Sequence, residues 1–188
     1  RRWYYDEDIL RAMKSMYEIA NEYLKTDNSS ASEVALVCDF KSITYSTYPS
    51  GNTSLEYILL TGTAAELSKS GIPFDSIILN DVGNQNLPDY KVYLFANSFY
   101  LTERDHLAID KLKANGKVII WLYAAGAITE KGISEKAISD LTGIKTKILM
   151  EKVKQTAEYA TNDSLLVAGL GGKSFPSSSG NIVTDGPL

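Results

Sequence analysis

Pro88-Asp89-Tyr90-Lys91-Val92-Tyr93-Leu94-Phe95-Ala96-Asn97-Ser98-Phe99 is the stretch whose reading decides the fold. A short apolar run opens at Val92 and stops at the polar pair Asn97-Ser98. A run of this length bounded by polar residues predicts a strand, Val92 to Ala96, buried in a sheet. A helix start follows at Thr102, where Thr at the N-cap and an acidic residue three positions later, Asp105, form the pattern of a capping box. Strand, polar tip and helix in that order place Ser98 where an enzyme built on a parallel sheet would carry a nucleophile.

Outward from this stretch the same alternation repeats. The helix from Thr102 ends at Asn115-Gly116, and Val118 to Tyr123 is the next apolar run. Upstream, Phe74 to Leu79 predicts a strand, and Leu55 to Lys69 a helix with Leu55, Ile58, Leu59, Ala65 and Leu67 on its apolar side. Gly71 ends that helix, because glycine takes the left-handed conformation at a helix C-terminus without steric cost. A loop over Lys41 to Thr53 precedes it, and Val34 to Cys38 is an unbroken apolar strand. Strands separated by helices imply parallel pairing through right-handed crossovers. Helices on both faces would leave such strands apolar throughout, so the expected class is α/β, in three layers, with a mostly parallel central sheet.

The flanks are less regular. The first 25 residues predict a helix with Ile9, Met13, Met16, Tyr17, Ala20 and Leu24 on one face. Asp6, Glu7 and Asp8 stand at its start, where they favour the positive end of the helix dipole. A polar loop, Thr26 to Ser32, follows, which makes the helix an entry segment packing on this domain or on a preceding one. Ile133 to Leu141 predicts a further helix ended by Gly143, and Ile144 to Met150 and Ser164 to Val167 are candidate strands. Beyond Gly169 the chain is rich in Gly and Ser. The expected organisation is a helical segment over 1–32, a domain over 33–168 and a Gly/Ser-rich segment over 169–188.

Composition removes several function classes. A net charge of -4 argues against nucleic acid as a partner. No apolar run approaches the roughly 18 residues that span a bilayer, so no membrane is expected. Arg1-Arg2-Trp3-Tyr4-Tyr5 leads into charged residues and not into an apolar core, which predicts no signal peptide. The start without Met and the end at Gly186-Pro187-Leu188 lead us to expect a piece of a longer protein. One cysteine excludes an internal disulfide and a cysteine-based zinc site, and it does not fix a compartment. Cys38 sits in an apolar run beside Asp39, a setting that disfavours a thiolate. No metal and no cofactor are expected.

In an open parallel sheet, ligands gather at the carboxyl ends of the strands. Those ends are Asp39 to Ser42, Asn80 to Gly83, Asn97-Ser98 and Tyr123 to Gly126. Asp39, Ser42, Asp81, Asn97 and Tyr123 are therefore candidates for a small polar-ligand pocket. The alternative is ordinary loop chemistry, since Asp, Asn, Ser and Gly also cap helices and make turns. Asp39 and Asp81 could share acid and base work if their carboxyl groups stood about 5 to 10 Å apart. A hydrolytic site would have to pair Ser98 with His106, the one histidine, which the pattern places in the first turns of a helix. Gly169-Leu170-Gly171-Gly172-Lys173-Ser174 falls short of a phosphate-binding loop, because Val167 stands where the first glycine is needed. Tyr45 and Tyr48 suit either an interface or stacking on a sugar ring.

Taken in order, several pieces carry a resemblance. They are Val34 to Ser42, Ser70-Gly71-Ile72-Pro73-Phe74-Asp75, Leu79-Asn80-Asp81-Val82, Leu87-Pro88-Asp89-Tyr90-Lys91-Val92-Tyr93-Leu94-Phe95, Leu101-Thr102 and Gly116 to Gly126. Over about Glu33 to Thr146 the chain resembles the trimerisation domain of family-42 beta-galactosidases and similar domains of other bacterial glycoside hydrolases. The resemblance implies a class I glutamine amidotransferase-like fold, a flavodoxin-like sheet between helices. It also implies a preceding barrel domain, linked through the N-terminal helix, that holds the glycosidase carboxylates. The amidotransferase nucleophile is a cysteine on a tight turn after a central strand. The matching turn here is Asn97-Ser98-Phe99-Tyr100, with no cysteine and no framing glycines.

The expected function is that of a non-catalytic accessory and oligomerisation domain of a carbohydrate-active enzyme. Its partners would be the barrel or a neighbouring subunit, and carbohydrate where strand-end loops wall the partner's sugar site. The alternatives are an amidotransferase-like hydrolase using Ser98 and His106, and a small-ligand binding module at Asp39, Asp81 and Asn97.

Overall fold

The structure, a computed structural model, describes residues 5–45, 54–148, 156–158 and 174–176. The chain divides into two compact units, Arg1–Ala31 and Ser32–Leu188.

The first unit is helix α1, Glu7–Tyr23. Its N-cap is Asp6, whose carboxylate accepts from the Asp8 amide at 2.9 Å and the Ile9 amide at 3.4 Å. Two of the helix's orphan N–H groups are thereby satisfied, and the charge complements the dipole. No residue of α1 is buried.

The second unit is built on four parallel strands: β1 (Val34–Cys38), β2 (Phe74–Ile78), β3 (Val92–Phe95) and β4 (Val118–Trp121). Their order is β2-β1-β3-β4. This is the flavodoxin-like order, with its topological switch point between β1 and β3. The direction of travel explains the layers. The connection from β1 steps one way across the sheet to β2, and the connections from β2 to β3 and from β3 to β4 step the other way. Right-handed crossovers then fall on opposite faces, and the fold is a three-layer α/β sandwich. Helix α2 (Phe40–Ile43), a π-helical stretch (Tyr57–Gly62) and helix α3 (Thr63–Ser70) make the first connection. Helix α4 (Glu103–Ala114) makes the last. The β2-to-β3 connection has no α-helix, only a 3-10 turn at Leu79–Asp81, and Leu79, Val82 and Tyr90 from it pack into the core. A short hairpin, β5 (Ile128–Thr129) and β6 (Gly132–Ile133), leads into α5 (Glu135–Thr142). A second small antiparallel pair is β7 (Thr156–Glu158) with β8 (Ser174–Pro176).

One face of the sheet carries the core. Ala35, Val37, Ile77, Tyr93 and Phe95 alternate along their strands and meet Ile109 and Leu112 of α4 and Leu141 of α5. The expected capping box of α4 is formed. The Asp105 carboxylate accepts from the Thr102 amide at 2.9 Å and its hydroxyl at 2.6 Å, while the Thr102 hydroxyl accepts from the Asp105 amide. Gly71 and Gly143 end α3 and α5 in the left-handed conformation, at φ 74° each.

Four details differ from the sequence pattern. Part of the loop from Lys41 is the helix α2, a single turn too short to show periodicity, which the Asp39 side chain caps. The predicted helix over Leu55 to Lys69 forms, but its first half is wound as a π-helix. Residues 144–148 make no strand. Their amides go to α5 instead: Ile148 donates to Glu135 Oε1 at 2.7 Å and Thr146 to Ser139 Oγ at 3.4 Å. Finally, the strands are not buried on both faces throughout. On the edge strand β4, Val118 and Ile120 are 51% and 41% exposed, while Ile119 and Trp121 pack against the core. The candidate strand at Ser164 to Val167 and the segment Gly169 to Lys173 lie outside the described residues. Among the described residues no helix is long and apolar enough to cross a membrane.

Candidate functional site

The switch point between β1 and β3 is where three of the predicted site residues, Asp39, Ser42 and Asn97, meet. β1 ends at Cys38, and Asp39 stands next as the N-cap of α2. Its carboxylate accepts from the Lys41 amide at 3.0 Å, the Ser42 amide at 3.2 Å and the Ser42 hydroxyl at 2.5 Å. Asn97, at the end of β3, reaches across to the Asp39 backbone. Its Oδ1 accepts from the Asp39 amide at 2.7 Å and its Nδ2 donates to the Asp39 carbonyl at 2.8 Å. Ser42 Oγ completes the network by accepting from the amides of Phe99 at 2.8 Å and Tyr100 at 3.1 Å. Asp39, Ser42 and Asn97 are all buried. Three polar side chains thus spend their hydrogen-bonding capacity on one another and on the backbone that leaves β1 and β3.

Tyr123 stands beside this network without joining it. Its ring meets Phe99 edge-on at 5.8 Å between centroids, and burial raises its phenol above the ordinary value. Its backbone takes φ 58°, the left-handed region, which costs a non-glycine residue about 1–2 kcal/mol. Asp81 lies elsewhere. It lines a groove of about 990 Å³ between α4 and the β2-to-β3 connection, together with Asn80, Asp89, Arg104, Lys111 and Lys117. In that groove Lys117 pairs with Asp89 at 2.5 Å, and Arg104 donates to the Asn80 carbonyl at 3.2 Å.

Ser98 and His106 are held apart in environment. Ser98 is fully buried, and its Oγ has no hydrogen-bond partner among the described residues. Its φ is not positive, so the chain does not make the sharp strained turn that lifts a nucleophile out of a sheet. His106 is exposed on α4 and borders a second cavity, of about 430 Å³, with Tyr100, Thr102, Glu103, Thr129 and Glu130. Tyr45 stacks on Tyr100 at 5.2 Å and 28°, at the rim of that cavity. Tyr48 lies outside the described residues. Cys38 is half-buried and burial raises its thiol, so it is a poor nucleophile. Among the described residues no group of three or more His, Cys, Asp or Glu side chains could hold a metal ion.

Two features had no signal in the sequence. The amide of Asn97 acts as a strand-to-strand clamp, which only the register of β1 against β3 makes possible. Glu56 is buried with both carboxylate oxygens unpartnered among the described residues, and a Glu at a helix start ordinarily reads as a solvated charge.

No family model matches this chain, and no curated protein matches it. Among solved structures, it is similar to the crystal structure of beta-galactosidase from Bifidobacterium adolescentis, at 15% sequence identity and a TM-score of 0.50, over 77% of this chain and 67% of that chain. At that identity the likeness is one of fold: the chain is a three-layer α/β domain of a kind that occurs in a glycoside hydrolase structure.

Proposed function

We propose that this chain is a non-catalytic accessory and assembly domain of a bacterial carbohydrate-active enzyme, of the beta-galactosidase trimerisation type with an amidotransferase-like sheet. The observation that carries the reading is the closed switch point. In a flavodoxin-like sheet the crevice between β1 and β3 is where a ligand would sit. Here Asp39, Ser42 and Asn97 are buried, and their side chains are engaged with one another and with the backbone that leaves the two strands. Ser98 is buried, and among the described residues no base stands in hydrogen-bonding reach of its hydroxyl, which speaks against a nucleophile there. The fold shared with a beta-galactosidase structure supports the parent class. The partner in this reading is a preceding barrel domain or a neighbouring subunit.

The test is turnover by the purified chain on chromogenic galactosides, simple esters and glutamine. The expected result is no rate above buffer with any of the three. Hydrolysis that disappears in Ser98→Ala or His106→Ala would sink the proposal in favour of an amidotransferase-like hydrolase.

A further inference from the structure

Helix α4 ends in a Schellman motif built around one dipeptide, Asn115-Gly116. Asn115 is the C-cap, and Gly116 follows it in the left-handed conformation at φ 69°. The Gly116 amide donates to the Lys113 carbonyl at 3.0 Å and the Lys117 amide to the Leu112 carbonyl at 3.1 Å, the two bonds that define the motif. Glycine suits this place because a left-handed backbone carries no steric cost for it. The same choice leaves the Asn115 side chain next to a main-chain nitrogen that no Cβ shields. Asn115 and Gly116 are both exposed, and a Cβ built at Gly116 would meet nothing within 4 Å.

Asn115 is the only asparagine of the sequence followed by glycine. It also differs from others in what holds its amide. Asn97 is buried, with both polar atoms of its side chain bonded to Asp39. Asn28 donates to the Tyr23 carbonyl at 2.9 Å and accepts from the Thr26 hydroxyl at 3.3 Å, and Asn84 accepts from the Asn86 amide at 3.0 Å. No hydrogen bond holds the Asn115 side chain among the described residues. A free side-chain amide, an unshielded nitrogen on the next residue and access to water are together the conditions for closing a succinimide ring.

We infer that Asn115 is a site of spontaneous deamidation, at which this chain converts to aspartate and isoaspartate as it ages. Hydroxide takes the Gly116 amide proton, and the nitrogen bonds to Asn115 Cγ. The Cγ–Nδ2 bond breaks, ammonia leaves with a proton from water, and a succinimide ring remains. Water then opens the ring at either of its carbonyl carbons, giving aspartate or isoaspartate, and it is the only co-reactant. The attack requires the Gly116 nitrogen to leave the Lys113 carbonyl, so it proceeds when the last turn of α4 frays, and fraying ends open at little cost. Either product sets a carboxylate at the negative end of the helix dipole. Isoaspartate also lengthens the main chain by a methylene between α4 and β4, just before the Val118 amide bonds to the Lys91 carbonyl at 3.0 Å.

The test holds the whole folded chain at mildly alkaline pH and body temperature for days to weeks, then digests it and weighs the peptides. The peptide with Asn115 is expected to convert first, into two isomers that carry an acid in place of the amide. Its rate should exceed that at Asn28 or Asn97 at least about tenfold, since neither of those is followed by a residue without a side chain. The aged chain should also gain a more acidic species on ion exchange and a lower urea midpoint. Asn115→Gln keeps an exposed amide but would have to close a larger, slower ring. It should start at the parent midpoint and show neither change. Conversion at Asn115 only in chain unfolded by urea overturns the inference, because the cap then protects the site. So does a rate no faster than at Asn28, or an Asn115→Gln chain that ages in the same way.

Discussion

Asn97 closes a two-bond ring on Asp39, accepting from its amide at 2.7 Å and donating to its carbonyl at 2.8 Å. Both residues are buried, so neither backbone group has water as an alternative. The amide side chain therefore stands in for one more rung of the β1–β3 ladder, past the point where the strands separate. Asn97→Ala leaves the Asp39 amide unpaired in the interior, at about 1–3 kcal/mol, and takes from the Asp39 carbonyl the bond it accepts besides the first one of α2. A loss on the order of 3 kcal/mol is expected, read as a lower urea midpoint at unchanged slope. Asn97→Asp is not a rescue, because its second oxygen would face the Asp39 carbonyl. If Asn97→Ala unfolds within about half a kcal/mol of the parent chain, the clamp is not holding the strands.

Ser42 and Ser98 are both fully buried, and their hydroxyls have opposite prospects. Ser42 Oγ donates to Asp39 and accepts from the amides of Phe99 and Tyr100. Ser98 Oγ has no partner among the described residues. Removing a hydroxyl that satisfies others costs about 1–3 kcal/mol, whereas removing one that is itself unsatisfied is neutral or favourable. Ser42→Ala is expected to destabilise and Ser98→Ala to leave the chain unchanged or more stable. Thermal unfolding of the two variants side by side checks the ordering, and a reversed order would show that Ser98 has a partner of consequence.

The architecture was legible where periodicity and caps agree. The apolar runs at Val34, Phe74, Val92 and Val118 became the four strands, and Thr102 with Asp105 formed its capping box, because each signal is local. What the sequence hides is set by register and by competition for hydrogen bonds. Ile144 to Ile148 has the composition of a strand, yet two of its amides are taken by Ser139 and Glu135 of α5. The half-exposed Val118 and Ile120 follow from the place of β4 at the sheet edge, which no window of residues contains. At the strand ends, Asp39, Ser42 and Asn97 stand together, as the strand-end rule groups them. Their chemistry there depends on the alignment of β1 with β3 and could not be read from residue types alone.

Two glycines with similar backbones separate conformational cost from crowding. Gly71 has φ 74° and Gly126 φ 68°, so a side chain at either is strained by about 1–2 kcal/mol. A Cβ at Gly71 meets nothing within 4 Å, whereas at Gly126 it would stand 2.8 Å from Leu141 Cδ2. Leu141 is itself buried in the core and has little room to turn. Crowding of this kind adds about 1–3 kcal/mol. Gly126→Ala is therefore expected to cost roughly twice as much as Gly71→Ala by urea unfolding. Equal costs would mean that Leu141 moves aside freely.

Alkaline pH tests the aromatic side of the core. Burial raises the phenols of Tyr90, Tyr93 and Tyr123 above their ordinary value of 10.0, and the thiol of Cys38 above 9.0. For Tyr90 the hydrogen bond it donates to Asp75, at 2.8 Å, adds to the effect of burial. In each case the folded chain holds its proton to higher pH than the unfolded chain. The associated stability is complete below the unfolded values and is lost as pH rises through and above them. Stability should be level up to about pH 8, begin to fall near 9 with Cys38, and fall more steeply above 10. Each proton retained only by the folded state adds about 1.4 kcal/mol per pH unit to that slope. Tyr90→Phe should lower stability at pH 7, through the lost bond to Asp75, and flatten the decline above pH 10. Urea midpoints measured from pH 7 to 11 distinguish the two effects, and a parent chain whose midpoint does not move above pH 10 would show that these tyrosines ionise as freely folded as unfolded.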